Sequence, residues 1–168
     1  MMKAVLLVDD HPAVRASIKN LLHSRFMAEN IYEAGTSDEG LEMALRYTPE
    51  LIVMDISLCG TSGIDLTKKI MNKLPDTRIV MLSMYSKVIY ITESLKAGAK
   101  GYILKEADMD SIINGIQKVI NGETYVDSKI SGKVISTLLS PESPDILIPD
   151  SNSYATLTLR EQEVLRPL

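Results

Sequence analysis

Short apolar runs alternate along the chain with segments of helical periodicity. The runs are KAVLLV at 3–8, NIYEA at 30–34, LIVM at 51–54, RIVMLS at 78–83 and GYILK at 101–105. Four are nearly unbroken by polar residues, as in strands buried on both faces of a parallel sheet; NIYEA is weaker. Between them, apolar residues recur at helical spacing: Val14, Ile18, Leu21 and Leu22; Leu41, Ala44 and Leu45; Leu66, Ile70 and Met71; Val88, Ile91 and Leu95. Met109, Ile112, Ile113, Ile116, Val119 and Ile120 form the clearest stripe, with Gly122 as its stop. Five strand–helix units joined by right-handed crossovers predict an α/β fold, a doubly wound five-stranded parallel sheet ending near residue 122.

A sixth amphipathic helix is expected over 128–139, with Ile130, Val134, Ile135, Leu138 and Leu139 on one side. The stretch 140–155 is rich in Pro, Ser and Asp and reads as a linker. After it, LTLREQEVLRPL at 157–168 opens like a helix, with Thr158 and Glu161 spaced as a capping box and Pro167 where the helix would continue. The expected division is therefore 1–122, 123–156 and 157–168.

Composition narrows the picture only slightly. The 168 residues suit one full domain and an extension. A net charge of −4 gives no general support for nucleic-acid binding. A single cysteine, Cys59, excludes an internal disulfide and agrees with a reducing compartment. No apolar run is long enough for a membrane span, and the N-terminus has no cleavage-site pattern; a soluble, cytoplasmic protein is expected.

The chemistry lies where the strands end. Asp9 and Asp10 close the first run, Asp55 follows the third, Ser83 ends the fourth and Lys105 the fifth. In an open α/β sheet, the carboxyl edge of the strands is where sites form. Singly, these residues have ordinary readings as solvated turns, caps or surface charges. Together they place three carboxylates, a hydroxyl and an ammonium on one edge. Three carboxylates need a compensating cation, and Mg²⁺ suits oxygen ligands. A carboxylate is a competent nucleophile for phosphoryl groups, and a metal, a hydroxyl and a lysine can balance the phosphoryl oxygens.

The motifs VDDHP, LIVMDISLCGTSGIDL, VMLS and AGAKGYILK resemble the receiver domain of bacterial two-component response regulators over roughly residues 3–122. DDHP and GAKGYILK resemble the LuxR/FixJ/NarL branch, and LTLREQEVL is similar to the start of that branch's helix-turn-helix domain, incomplete at residue 168. The resemblance implies that Asp55 accepts phosphate from a histidine kinase. It implies that Asp9, Asp10, Asp55 and the backbone carbonyl of Ser57 hold Mg²⁺, that Lys105 pairs with the phosphoryl oxygens, and that Ser83 and Tyr102 act as the switch. Such a protein catalyses only its own phosphorylation and dephosphorylation. It would bind DNA only through a complete helix-turn-helix domain, and it would form a homodimer or pair with a related regulator.

There are departures and rivals. Cys59 stands where the family often has Pro, so a more flexible loop is expected there. Tyr85 is expected to shield the phosphoryl group from water. His11 is read as an exposed loop residue that is not a ligand, and His23 as partly packed. Tyr102, without the resemblance, would be a half-buried strand residue with a wet hydroxyl. One rival is a Mg²⁺-dependent phosphohydrolase with an aspartyl nucleophile; Ser57 stands where many such enzymes carry a second acid. Another is an interaction protein that keeps the fold without signalling.

Overall fold

The computed structural model describes residues 2–139. The linker expected at 140–156 and the helix-turn-helix start expected at 157–168 lie outside the described residues. The elements run β1 (Ala4–Val8), α1 (Pro12–Phe26), β2 (Asn30–Ala34), α2 (Ser37–Tyr47), β3 (Leu51–Met54), β4 (Ser57–Leu58), β5 (Thr61–Ser62) and α3 (Gly63–Lys73). They continue as β6 (Arg78–Ser83), α4 (Val88–Lys96), β7 (Gly101–Leu104), α5 (Met109–Ile120), β8 (Tyr125–Val126) and α6 (Ser128–Leu139).

The main sheet has the order β2-β1-β3-β6-β7-β8, with every pairing parallel. Five strands coincide with the predicted apolar runs. The sixth, β8, is a correction to the expected five: Tyr125 and Val126 pair with Gly101 and Tyr102. Two residues carry too little periodicity to be read as a strand.

Alternation along the strands divides the core in two. Leu6, Val8, Ile52, Met54, Met81 and Leu104 face a cluster shared with Ala44, Leu66, Ile70 and Ile91 from α2, α3 and α4. Val5, Leu7, Val53, Val80, Leu82 and Ile103 face the other way, onto Ile18 and Leu22 of α1 and Ile112, Ile116 and Val119 of α5. Both sheet faces are therefore covered, which explains why the strand sequences lack polar alternation.

Polar side chains fix several helix starts. Thr36 accepts from the Glu39 amide, Ser62 from Ile64 and Asp108 from Ser111. Leu45 and Met109, counted on the stripes, lie at their margins, 41% and 48% exposed. His23, expected to be partly packed, is exposed on α1.

Beyond Gly122, the chain adds β8 to the sheet and α6 to the core. Ile130 is 1% exposed and sits in the cluster with Tyr90, Ile91 and Tyr102, while Val134 packs against it. Ile135 and Leu139 do not share that side; they are 56% and 76% exposed. The apolar residues of α6 span more than one face, and tertiary contact selects the Ile130–Val134 pair at i,i+4 spacing.

Candidate phosphoacceptor site

Main-chain bonds align the strand ends. The Asp9 amide donates to Ala34 at the end of β2 (3.1 Å), and the Asp55 amide donates to Val8 at the end of β1 (2.8 Å). The Lys105 amide donates to the Ser83 carbonyl (2.8 Å), aligning the ends of β6 and β7. Because the central strands are parallel, the residues that follow them emerge on one edge.

Lys105 reaches across that edge. Its Nζ lies 2.7 Å from Asp9 Oδ2 and 2.9 Å from Asp55 Oδ2. All three side chains are less than 10% exposed. Burial pushes the Asp55 carboxyl up to about 6, against the opposing pull of Lys105 and the Ser57 amide, while Asp9 adds to the rise. For Lys105, burial works to lower the value, but its bonds to Asp9 and Asp55 prevail and hold the ammonium above its ordinary range.

Asp10 is the least satisfied of the three acids. Its Oδ2 accepts from the Cys59 amide and thiol, each at 3.3 Å. Its Oδ1 is buried and accepts no hydrogen bond. Oδ1 does lie 2.6 Å from His11 Nδ1, an ion-pair separation. A buried carboxylate oxygen without a donor is costly, and a cation offsets that cost. Donor atoms of Asp9, Asp10, His11 and Asp55 all lie within 4.8 Å of one another, so the set fits a divalent ion. His11 is exposed, as expected, yet it leans onto the acids. Asp9 Oδ1 accepts its amide at 2.8 Å and turns residue 11 back over the site.

The β4–β5 hairpin forms the rim beside Asp55. Cys59 and Gly60 make its two-residue turn with φ of +31° and +82°, the left-handed pair a tight hairpin requires. The more flexible loop expected from Cys59 is thus a tight turn, held by two bonds to Asp10. Asp10 raises the Cys59 thiol above its ordinary value, so the thiol is poorly disposed to react.

Ser83 and Tyr102 lie deeper. Ser83 is fully buried, and its hydroxyl accepts from the Tyr85 amide (3.1 Å). Tyr102 is fully buried, not half-buried with a wet hydroxyl. Its OH donates to the Tyr85 carbonyl at 2.7 Å, and burial drives its pKa up against a hydrogen bond with Ser83. The Tyr85 ring packs on Tyr90, with centroids 4.6 Å apart.

Two residues that position the site were not singled out from sequence. Arg15, one turn into α1, donates Nη1 to the Asp9 carbonyl at 2.6 Å. Its signal was a cation three residues after Pro12. Gly63 packs its α-carbon against the main chain of Asp55, where a Cβ would run into the Asp55 carbonyl oxygen. Its amide donates to Ile56 at 2.7 Å. Only glycine permits that approach.

Three carboxylates thus gather at parallel strand ends, and one buried lysine bridges two of them, Asp9 and Asp55. Residues 5–117 match the family described as response regulator receiver domain. The chain belongs to that family. It is 32% identical over 162 residues to the oxygen regulatory protein NreC of Staphylococcus epidermidis, covering 96% of this chain and 74% of that protein. It is 37% identical over 150 residues to the transcriptional regulatory protein MctR of Rhizobium johnstonii, covering 85% and 70%. A LuxR-family two-component response regulator from an Aurantimonas species superposes with a TM-score of 0.79 at 26% identity, covering 83% of this chain and all of that one. The receiver domain is therefore that of a LuxR-family response regulator of a two-component system. Proteins of this kind signal and are not classical enzymes. No helix among the described residues is long and apolar enough to cross a membrane.

Proposed function

We propose that this receiver accepts a phosphoryl group on Asp55 from a phosphohistidine of a partner kinase. The observation that carries this reading is the buried Lys105 ammonium bonded to both Asp9 and Asp55 at the carboxyl edge of the sheet. An Asp55 oxygen forms a bond to phosphorus as the bond from phosphorus to the donor's imidazole nitrogen breaks. Lys105 is already within reach of the oxygens that gain charge, and it holds the carboxylate in one orientation. When Asp55 takes the phosphoryl group, Lys105 keeps Asp9 as its second partner.

Asp9, Asp10, Asp55 and the Ser57 carbonyl are assigned as the residues that hold Mg²⁺. When bound, the ion supplies the positive charge that one lysine cannot supply to three acids and a phosphoryl group. The unsatisfied Asp10 Oδ1 supports this assignment. Ser83 and Tyr102 form the switch. Their hydroxyls meet the two main-chain polar groups of Tyr85, so a Ser83 hydroxyl drawn toward a phosphoryl oxygen would release the Tyr85 amide and disturb the carbonyl that Tyr102 holds.

The receiver spans residues 1–122, with β8 and α6 packed onto it, and 140–156 lead to the start of a LuxR-type helix-turn-helix at 157–168; contact with DNA would be made only through a complete domain of that type. The protein works in the cytoplasm and associates with a second copy or a related regulator. Incubation with acetyl phosphate and Mg²⁺ tests the phosphoacceptor reading. One hydroxylamine-labile phosphoryl group per chain is expected, lost in Asp55→Asn and when Mg²⁺ is chelated. Undiminished labelling of Asp55→Asn would remove Asp55 from the role.

A further inference from the structure

Asp127 is a buried carboxylate that the phosphoacceptor site does not use. It is 2% exposed and sits between β8 and α6. Its main chain continues the sheet: its amide donates to the Tyr102 carbonyl at 2.9 Å. Its side chain divides between two elements. Oδ1 accepts from the Lys129 amide at 3.0 Å, as an N-terminal cap of α6 does. Oδ2 accepts from the Leu104 amide of β7 at 3.4 Å.

A cap alone does not need this residue. A serine or asparagine caps as well, without burying a full charge. The second oxygen is what the carboxylate adds, and it goes to the residue immediately before Lys105. The end of β7 is therefore held from both sides. On one, the Ser83 carbonyl takes the Lys105 amide; on the other, Asp127 takes the Leu104 amide and donates to Tyr102. The same strand carries both the lysine of the site and the buried switch tyrosine. Below Asp127, Ile130 anchors α6 in the cluster that contains Tyr102 and Leu104.

We propose that Asp127 is a positioning residue that couples occupancy of the Asp55 site to the docking of α6, and through α6 to whatever follows it in the chain. The proposal rests on the phosphoacceptor reading above. When Lys105 follows a new phosphoryl partner, the strand end moves with it. The Leu104–Asp127 bond is at the long limit for a hydrogen bond, so a shift of a few tenths of an ångström breaks it. The first turn of α6 then loses its tie to the sheet. By linkage, anything that lifts α6 changes the Asp55 site in return.

Asparagine separates the two functions of the side chain. Its single amide oxygen can cap α6, but its NH₂ group cannot accept from Leu104. Amide hydrogen exchange of the full 168-residue chain, with Mg²⁺ and with or without beryllofluoride as the phosphoryl mimic, reads the coupling. The Lys105 amide resonance, followed in parallel, reports occupancy of the site. In the wild type, exchange at Ser131–Val134 should accelerate at least threefold on adding beryllofluoride. In Asp127→Asn, and in Asp127→Ser as a second capping variant, exchange in α6 should already be fast before beryllofluoride is added and should no longer respond to it, while Lys105 still does. A Lys105 shift without any α6 response in the wild type would overturn the coupling and leave the phosphoacceptor reading intact. An α6 response in Asp127→Asn equal to that of the wild type would also overturn it. No Lys105 shift at all would sink the phosphoacceptor reading, and the coupling with it.

Discussion

Asp55 carries its charge at a cost that the metal-free protein cannot avoid. Its folded pKa is about 6, above the ordinary 3.8, so the folded state binds its proton more tightly than the unfolded chain. The sign follows: stability from this group is greatest below pH 3.8 and falls as pH rises through 3.8 to 6. Asp55→Asn should flatten that fall and, at pH 7 without metal, raise the unfolding free energy by about 1–3 kcal/mol. Urea titrations in a chelator at pH 4 and pH 7 check this, and a variant less stable than wild type at pH 7 would contradict it. Cys59 holds a second local strain. A residue with a Cβ at φ +31° is disfavoured, whereas asparagine tolerates the left-handed region. Cys59→Asn should gain about 0.5–1 kcal/mol despite losing the thiol bond to Asp10. An unchanged or lowered midpoint would show that the Cys59–Asp10 contact matters more than the turn.

At the scale of elements, the junctions carry the site. Gly63 lets α3 start against the main chain of Asp55, and no side chain fits there. Gly63→Ala should therefore cost about 1–3 kcal/mol and also slow phosphoryl uptake, because the displaced atom is the Asp55 carbonyl. Normal uptake kinetics in a folded Gly63→Ala protein would detach Gly63 from the site. In α6, Ile130→Ala should cost about 2–5 kcal/mol and Ile135→Ala close to nothing, since only Ile130 is buried. Equal losses would restore the single apolar face expected from sequence. That expectation failed for a physical reason: five apolar residues in twelve cover too wide an arc to name one buried side. The long strands were legible because burial on both faces leaves unbroken apolar runs. The two-residue strands β4, β5 and β8 were not, because nothing so short repeats.

For the whole molecule, the parallel sheet converts distant sequence positions into one site. Residues 9, 10, 55 and 105 were legible because each breaks an apolar run at the same end of its strand. Arg15, Gly63 and Asp127 were not, because they act on main-chain atoms of other segments, and a sequence does not display such contacts. Tyr102 was singled out through family resemblance alone, and only as a switch residue; its full burial was not foreseen, because strand alternation does not distinguish it from a surface tyrosine. Phosphorus should reach one oxygen-bearing side chain among four close neighbours: Asp9, Asp10, His11 and Asp55. The direct measurement is site mapping. After reaction with acetyl phosphate and Mg²⁺, borohydride reduction converts an aspartyl phosphate to homoserine, which peptide mass spectrometry locates. Homoserine at position 55 alone is the predicted result. Homoserine at 9 or 10, or phosphate recovered on His11 with position 55 unmodified, would contradict the account.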